Sequence, residues 1–184
     1  DLIGNILEVA RIESGKETLT ETAWNLCNLE DTLDLLLDRD IYKKQLTLKK
    51  NMELQHPKVY CDVLKIQEIT MNLLSNAVKY TPEGGTIHFT IRELPYEREG
   101  YALFQTVVED TGIGISKEYI PHLFEAFSRE KSSSESGIIG TGLGLRIVKK
   151  FVDLMEGSIV VESEIGEGTR FTVTIPHRIA TDRK

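Results

Sequence analysis

The sequence is poor in cysteine and has no long apolar run, and each shortage excludes a class of protein. Only two of its 184 residues are cysteines, Cys27 and Cys61, and their separation matches no metal-ligand spacing. We therefore expect free thiols in a reducing compartment, rather than a disulfide framework or a zinc site. No apolar run reaches the length of about 18 residues that a membrane-spanning helix needs.

Basic residues are also outnumbered: 22 lysines and arginines face 29 aspartates and glutamates, which gives a formal net charge of −7. An acidic chain has no overall electrostatic attraction to nucleic acid or to anionic lipid, so we expect neither as a partner. Hydrophobic residues make up 40% of the chain, which is enough for a folded core and argues against disorder. Because the sequence starts at Asp1, without a Met and inside a helical pattern, we expect it to be part of a longer protein.

What the chain does contain is a regular succession of helical and strand-like patterns. Apolar residues recur at helical spacing in four segments, 1–13, 28–44, 63–80 and 142–155. Asn28 and Asp62 are the expected N-caps of the second and third helices, and Gly157 follows the fourth.

Strand patterns occupy most of the remaining chain. Alternating or continuous apolar residues predict strands at 46–52, 59–60, 86–93, 101–109, 158–164 and 169–175. The segment 101–109 is apolar on both alternations, which is typical of a central strand. We expect a connector at 16–27 and a long polar segment at 110–141 with a short helix around 117–127. These elements favour a two-layer α/β sandwich, in which a mixed, mostly antiparallel sheet packs on helices.

The third predicted helix carries a line of polar residues. Glu68, Asn72, Asn76 and Lys79 fall within an arc of about 80° on one face, and the opposite face is apolar. Amide and carboxylate oxygens suit a divalent cation such as Mg²⁺, and an ammonium suits the phosphate that accompanies it. A solvated polar face is the alternative, although two asparagines in mid-helix are unfavourable unless they have a function.

Two glycine-rich segments add further candidate binding groups. Asp110-Thr-Gly-Ile-Gly-Ile115 follows the predicted central strand, so its carboxylate could accept from an exocyclic amine such as that of adenine; a plain turn is the alternative. Gly140-Thr-Gly-Leu-Gly-Leu145 opens the fourth helix, where free backbone N–H groups favour phosphate. This segment is not a P-loop, because no Gly-Lys-Ser/Thr follows it.

Together with three further motifs, these segments resemble the ATP-binding domain of sensor histidine kinases. The matching motifs are Asn72-Leu-Leu-Ser-Asn76-Ala-Val-Lys79-Tyr80-Thr81-Pro82 (N box), 110–115 (first glycine box), Phe124-Glu-Ala-Phe127 (F box), 140–145 (second glycine box) and Gly166-Glu-Gly168-Thr169 (last glycine motif). The resemblance covers residues 28–177 and implies the ATP-binding fold of histidine kinases, type II topoisomerases, a heat-shock chaperone and MutL mismatch-repair proteins.

The resemblance implies a role for each matching residue of the third helix. Asn76 would bind the Mg²⁺ that bridges the phosphates of ATP, with Asn72 beside it. Lys79 would contact phosphate, and Tyr80 would line the nucleotide pocket.

The resemblance also implies how the glycine boxes would hold ATP. Asp110 would accept from the adenine amino group, Gly114 would lie beneath the ring, and Gly112 and Thr169 would belong to the same part of the pocket. Arg129 matches a lid arginine that reaches the phosphates, in a lid that spans residues 116–139. The phosphates would rest on the backbone of Gly140, Thr141, Gly142, Leu143, Gly144 and Leu145.

Partners outside this sequence follow from the same resemblance. Residues 1–15 match the end of a dimerisation helix and 16–184 the catalytic domain, so the phosphoacceptor histidine is expected upstream. The histidines of this chain lie outside the His-Glu/Asp-x-x-x-Pro setting of that helix: His56, His88, His122 and His177. The expected partners are the chain's own dimerisation domain within a homodimer, and a response regulator. The expected location is cytoplasmic, in a parent protein with or without a membrane anchor.

The residues of the candidate site also indicate which of two activities to expect, phosphoryl transfer or ATP hydrolysis. In the hydrolytic relatives, the residue four positions before the Mg²⁺ asparagine is a glutamate that activates water, and here that residue is Asn72. A carboxamide cannot take a proton at neutral pH, and Glu68 lies a further turn away. We therefore expect transfer to a histidine. An ATPase of the topoisomerase or MutL type, a serine-directed kinase and a non-catalytic nucleotide-binding relative remain as alternatives.

Overall fold

A computed structural model describes residues 2–128 and 142–181 of the chain. The helices within these residues are α1 (Leu2–Glu13), α2 (Asn28–Lys43), α3 (Val63–Tyr80) and α4 (Gly144–Leu154), with a short 3₁₀ helix at Ile120–His122. The strands are β1 (Thr22–Asn25), β2 (Thr47–Glu53), β3 (Lys58–Cys61), β4 (Thr86–Leu94), β5 (Tyr101–Asp110), β6 (Ser158–Glu164) and β7 (Gly168–Ile179).

The strands form one open sheet in the order β1-β3-β7-β5-β4-β2, and β6 pairs with the first part of β7. The strand pairs are antiparallel except for β2 with β4, which are parallel because β3 and α3 form a crossover between them. β5 lies between β4 and β7 and pairs with β7 along its whole length. The predicted two-layer sandwich with a mixed, mostly antiparallel sheet is therefore confirmed.

The core lies between one face of this sheet and the helices. Ile87, Phe89 and Ile91 alternate inward along β4 and are almost fully buried. Helices α3 and α4 pack against each other and contribute buried residues such as Leu73 and Phe151. This pairing brings the polar face of α3 and the beginning of α4 to the same edge of the molecule.

The beginning of α3 agrees with the sequence, whereas the beginning of α2 does not. The Asp62 side chain accepts hydrogen bonds from the backbone N–H groups of Lys65 (3.3 Å) and Thr20 (2.9 Å), so it caps α3 as predicted. The prediction that Asn28 caps α2 is wrong, because Cys27 is the N-cap and Asn28 is already helical. The chain turns earlier, where the Asn25 side chain accepts from the Cys27 N–H at 2.9 Å.

Three other local predictions were also wrong. The predicted connector at 16–27 contains β1, which pairs with β3 but is largely exposed and so carries no alternating apolar signal. The predicted helix around 117–127 is only the 3₁₀ turn Ile120–His122, and Phe127 has a positive φ of 60° that a helix does not allow. Similarly, α4 begins at Gly144 rather than at residue 142, because Gly142 has a φ of 72°.

Helix α1 packs through one side only. Val9 is buried and Ile12 packs against the core, whereas Ile3 is 69% exposed and Leu7 is 59% exposed.

None of the helices within the described residues is long and apolar enough to cross a membrane. Both cysteines are free thiols, and burial raises the pKa of Cys61 to about 12.

Candidate functional site

A cavity lies where α3, the C-terminal end of β5, the beginning of β7 and the beginning of α4 meet. Eight of the residues that the sequence singled out line it: Asn76, Tyr80, Asp110, Gly114, Gly142, Gly144, Leu145 and Thr169. Residues that are far apart in the sequence therefore surround one space. Arg129, Gly140, Thr141 and the lid residues 129–139 lie outside the described residues.

Asp110 forms one end of this cavity. It is the last residue of β5, it is buried, and its Oδ1 accepts from the backbone N–H groups of Gly112 (2.8 Å) and Thr169 (3.3 Å). Burial outweighs these two hydrogen bonds and raises the pKa of the Asp110 carboxyl to about 6. Among the described residues neither bond uses Oδ2, so this oxygen can accept from a ligand amine.

The backbone around Asp110 leaves no room for a side chain. At Gly114, whose φ is 75°, a Cβ atom would lie 2.1 Å from the carbonyl oxygen of Glu164. At Gly112, a Cβ atom would lie 2.6 Å from the carbonyl oxygen of Tyr80. Both positions therefore require glycine because another part of the backbone approaches closely.

Hydrogen bonds join three of the sequence motifs at this end of the cavity. The backbone N–H of Ile113 donates to the carbonyl of Tyr80 at 3.1 Å, which connects the first glycine box to the end of α3. The N–H of Gly166 donates to the carbonyl of Ile113 at 2.9 Å, which connects the same box to the β6–β7 turn. The glycine motifs and the end of α3 thus hold one another in place.

Ser163 is a positioning residue that the sequence analysis missed. Its hydroxyl accepts from the N–H of Ile115 at 2.8 Å and lies 2.8 Å from the hydroxyl of Thr169. It also donates to the carbonyl of Gly168 at 2.9 Å. Ser163 lies on β6 outside every motif, so the sequence carried no signal for it.

The two asparagines of α3 have different surroundings. Asn76 lines the cavity together with Tyr80. The Asn72 side chain donates to the carbonyl of Glu68 at 2.9 Å, and its Oδ1 would be 2.7 Å from a Cβ atom at Gly144. The structure therefore places the carboxamide of Asn72 against the beginning of α4, one turn away from Asn76.

Two further residues of the polar face of α3 lie outside the cavity lining. Lys79 is exposed. Glu68 is half-buried, and its carboxyl pKa is raised by burial first and by the carboxylate of Glu8 on α1 second. The polar face that the sequence predicted is therefore divided, because Asn76 lines the cavity while Glu68 lies outside its lining and close enough to Glu8 of α1 for the two charges to interact.

The beginning of α4 forms the other end of the cavity. Gly142, Gly144 and Leu145 line it, while the side chain of Leu143 is fully buried in the core. The first N–H groups of a helix lack partners within the helix and favour an anion. The arrangement thus offers a hydrogen-bond acceptor at the Asp110 end and the positive end of a helix dipole at the α4 end.

Six lining residues were not named individually as site residues in the sequence analysis, although five of them lie in the first glycine box or the expected lid: Ile113, Ile115, Tyr119, Leu123, Ser128 and Phe171. Most are apolar and supply the walls between the two polar ends. Phe171 could have been found from the alternation of β7, because it follows Thr169 on the same face of that strand. Tyr119 and Ser128 belong to an irregular segment, where no period indicates which side chains point inward.

The lining fits an adenine nucleotide better than a resident metal centre. Within residues 2–128 and 142–181, no group of three His, Cys, Asp or Glu residues could hold a metal ion. A Mg²⁺ ion that arrives with phosphate needs only one or two protein oxygens, and the carboxamide oxygen of Asn76 is one such group.

Comparison with known proteins agrees with this geometry. A family model described as histidine kinase-, DNA gyrase B-, and HSP90-like ATPase matches residues 61–179. The chain is 38% identical over 176 residues to the sensor protein GacS of Pseudomonas syringae pv. syringae, and 35% identical over 178 residues to the hybrid signal transduction histidine kinase B of Dictyostelium discoideum. These alignments cover 95% and 96% of the chain but only 19% and 9% of those proteins.

Solved structures show the same fold. Full-length ShkA in complex with AMPPNP superimposes with a TM-score of 0.80 and 26% identity, over 98% of this chain and 36% of that one. The nucleotide-free catalytic domain of the histidine kinase ThkA gives a TM-score of 0.69 and 26% identity, over 85% and 95% of the two chains. The chain thus belongs to the histidine kinase-, DNA gyrase B-, and HSP90-like ATPase family, as an ATP-binding domain of the histidine kinase type.

Proposed function

We propose that this chain is the catalytic ATP-binding domain of a two-component sensor histidine kinase, which binds Mg·ATP and transfers the γ-phosphoryl group to a histidine. The main support for the proposal is that one cavity has different polar groups at its two ends. The Asp110 carboxyl lies at one end, and the beginning of α4 lies at the other. Between these ends Asn76 supplies a carboxamide. Relatives that align over 95% or more of the chain are sensor or hybrid histidine kinases, and the related ShkA structure contains AMPPNP.

Each end of the cavity would bind a different part of ATP. The Asp110 carboxylate accepts from the adenine amino group, and Gly114 allows the ring to approach the backbone. At the other end, backbone N–H groups of 142–145 and the ammonium of Lys79 receive the phosphates. Mg²⁺, when bound to Asn76 and the phosphates, supplies charge neutralisation for phosphoryl transfer. Arg129 and residues 140–141, outside the described residues, complete the proposed phosphate site.

The lining favours transfer over hydrolysis. Asp110 is the one carboxylate among the described lining residues, and it lies at the adenine end. Asn72, at the position of the water-activating glutamate in hydrolytic relatives, is a carboxamide bonded to the backbone of Glu68. A histidine acceptor needs no such base, because its ring nitrogen attacks phosphorus with its own lone pair while the bond to the ADP leaving group breaks.

The acceptor histidine would come from another segment or another chain. None of the four histidines lines the described part of the cavity. His177 is buried, which lowers its pKa to about 4. We place the acceptor in a dimerisation domain whose last helix continues into residues 1–15, within a homodimer, and we place residues 16–184 in the catalytic domain with its lid at 116–139. The phosphoryl group would then pass to a response regulator aspartate in the cytoplasm.

The metal role of Asn76 is tested by replacing it with alanine. We expect Asn76→Ala to weaken Mg·ATP binding at least tenfold, and to remove most of the difference in affinity between the presence and absence of Mg²⁺. Asn51→Ala is the matched control, because Asn51 is exposed on β2 and outside the cavity lining. Titration calorimetry measures both quantities, and an unchanged Mg²⁺ dependence in Asn76→Ala would contradict the proposed role.

Phosphoryl transfer is tested by incubating the chain with γ-labelled ATP and a separately prepared histidine-bearing dimerisation domain of a related sensor kinase. We expect an acid-labile, base-stable phosphohistidine on the added domain, and slow phosphate release without it. Rapid phosphate release without any acceptor would support an ATPase instead. Acid-stable phosphoserine on a protein substrate would support a serine-directed relative, and ATP binding without either product a non-catalytic one.

A further inference from the structure

Ser163 contacts three different groups beside the cavity, although its hydroxyl has only one proton to donate. The hydroxyl oxygen lies 2.9 Å from the carbonyl oxygen of Gly168 and 2.8 Å from the backbone nitrogen of Ile115. It also lies 2.8 Å from the hydroxyl oxygen of Thr169. Ile115 and Thr169 line the cavity, whereas Ser163 is outside its described lining. Ser163 therefore acts on the cavity only through these neighbours.

The chemistry of the three partners determines where the hydroxyl protons lie. The Gly168 carbonyl can only accept, so it receives the proton of Ser163, and the Ile115 N–H can only donate to the Ser163 oxygen. The third contact is then a hydrogen bond only if the Thr169 hydroxyl donates to Ser163. No donor among the described residues takes up the lone pairs of Thr169, so these lone pairs are what Thr169 offers to a ligand.

The Thr169 hydroxyl belongs to the Asp110 end of the cavity. The two residues are register partners in the β5–β7 pair, so their side chains lie on the same face of the sheet. The Thr169 N–H donates to Oδ1 of Asp110 at 3.3 Å. A Cβ atom on Gly168 would lie 1.9 Å from the carbonyl oxygen of Asp110, so the beginning of β7 is held against the end of β5. Two neighbouring side chains therefore present oxygen lone pairs at this end.

From these contacts we propose that Ser163 is a positioning residue that determines base specificity, because it holds the proton of Thr169 away from the ligand. A base with an amine at this end of the cavity meets two acceptors, Asp110 and Thr169. A base with a carbonyl oxygen there meets the lone pairs of both, and Thr169 can donate to that oxygen only by giving up its hydrogen bond to Ser163. The inference rests on the proposed function and adds a residue that sets the preference for adenine.

The test compares Mg·ATP with the magnesium complex of inosine triphosphate (ITP), whose base has a carbonyl in place of the adenine amine. Ser163→Ala leaves the Ile115 N–H without its acceptor, which should weaken both nucleotides alike. It also frees the Thr169 hydroxyl to donate to the carbonyl of ITP. We therefore expect the ratio of the dissociation constants, ITP over ATP, to fall threefold to tenfold, roughly the value of one hydrogen bond. A merely structural role of Ser163 would leave this ratio unchanged.

Thr169→Val removes the hydroxyl that Ser163 is proposed to hold. When Ser163→Ala is added to Thr169→Val, the ratio should not change further, whereas independent effects would add. Thr169→Val by itself should also lower the ratio, because it removes an acceptor for the amine and a repulsive oxygen for the carbonyl. This measurement tests the acceptor role of Thr169 even if Ser163→Ala does not fold, and an unchanged ratio in Thr169→Val would overturn the inference.

Ser158→Ala is the matched control, because Ser158 lies on the same strand, β6, but is exposed and outside the described cavity lining. Titrations followed by nuclear magnetic resonance give the dissociation constants of both nucleotides for each variant. They are made at about pH 8, well above the pKa of about 6 of Asp110, so that this carboxyl is ionised.

The outcomes separate this inference from the proposed function. If the unchanged chain prefers Mg·ATP and Ser163→Ala keeps the full preference, this inference alone is overturned. An equal fall of the ratio with and without the Thr169 hydroxyl also overturns it, since Ser163 then acts by another route. No Mg·ATP binding by the unchanged chain overturns the proposed function as well.

Discussion

At the scale of single residues, two positions of the site allow few other residue types. One position is buried, and at the other two backbone segments approach each other closely. Asp110 is a carboxyl placed in a buried position, and Gly114 is a glycine placed where two backbone segments meet. The sequence identified both residues from their motifs. The forbidden Cβ atom at Gly114 depends on Glu164, and one of the two hydrogen bonds to Asp110 comes from Thr169; both partners are 50 or more positions away in the sequence.

The first prediction concerns Gly114→Ala. The new Cβ atom would meet the carbonyl oxygen of Glu164 at 2.1 Å in a backbone conformation with φ of 75°. We expect this variant to lose at least about 2 kcal/mol more unfolding free energy than Gly84→Ala. Gly84 is the matched control, because its φ is 83° but no described atom lies within 4 Å of its added Cβ. Urea denaturation measures both, and equal losses would contradict the close approach.

The second prediction concerns the pH dependence of stability through Asp110. Burial raises the pKa of this carboxyl to about 6, from an ordinary value of 3.8. Between these values the folded chain binds the proton more strongly than the unfolded chain. The resulting stabilisation is complete below the lower value and is lost as the pH rises through about 6. The loss for the ligand-free chain has an upper bound of about 3 kcal/mol.

Asp110→Asn removes this titration while keeping a similar shape. We therefore expect the variant to gain stability relative to the unchanged chain as the pH rises from about 4 to about 7. Urea denaturation of both ligand-free proteins across this range gives the difference in unfolding free energy. A difference that does not vary with pH would show that the carboxyl has an ordinary pKa.

At the scale of elements, α1 and the connector after it are attached to the ATP-binding domain by charged pairs. Arg146 on α4 is hydrogen-bonded to Glu13 at the end of α1. Lys65 on α3 lies 2.7 Å from Glu17 in the connector and 3.3 Å from Asp62. The hydrogen bond and charge of Arg146 lower the pKa of the exposed Glu13 carboxyl. Arg146 is two residues from Gly144, so this attachment begins next to the cavity.

The third prediction is that Arg146→Gln loosens α1 without unfolding the domain. Backbone amides of α1 should exchange with deuterium faster in the variant, because the ion pair to Glu13 is lost. Amides in β5 and β7 should keep their protection. Lys149→Gln is the matched control, because Lys149 pairs with Asp153 within α4 itself. If the amide exchange rates in α1 do not change, the apolar contacts of residues such as Val9 are sufficient to hold the helix without the ion pair.

At the scale of the whole molecule, the cavity joins elements that are far apart in the sequence. Its lining comes from α3, the end of β5 and the segment that follows it, the beginning of α4 and the beginning of β7. A ligand that binds the folded cavity and not the unfolded chain stabilises the fold.

The fourth prediction is that this stabilisation is selective for adenine. At a ligand concentration of about 100 times the dissociation constant, Mg·ATP should add about 2.7 kcal/mol to the unfolding free energy and raise the midpoint of thermal unfolding. Mg·GTP at the same concentration should add much less, because guanine presents a carbonyl where adenine presents an amine to Asp110. Thermal unfolding with each nucleotide measures this, and equal stabilisation would contradict the Asp110 contact.

The sequence by itself determined the fold class and the motif residues that line the cavity. Helices α1 to α4 and the inward alternation of β4 follow from periodicity, and the cap at Asp62 follows from residue type. Asn76, Tyr80, Asp110 and the glycines were identified because their types and spacing form recognisable motifs. These signals are local, since each depends on residues within about one turn or one strand of the chain.

Only the tertiary structure decided which polar groups share the cavity and which do not. It separates Asn72 and Glu68 from Asn76, although all three lie on one face of α3, because Asn72 lies against the beginning of α4 and Glu68 lies outside the cavity lining. It also adds Ser163, Tyr119 and Ser128, whose hydroxyls meet partners across the fold and have no local pattern. The reason is physical: a helical period gives the direction of a side chain, but the neighbouring elements determine what that side chain meets.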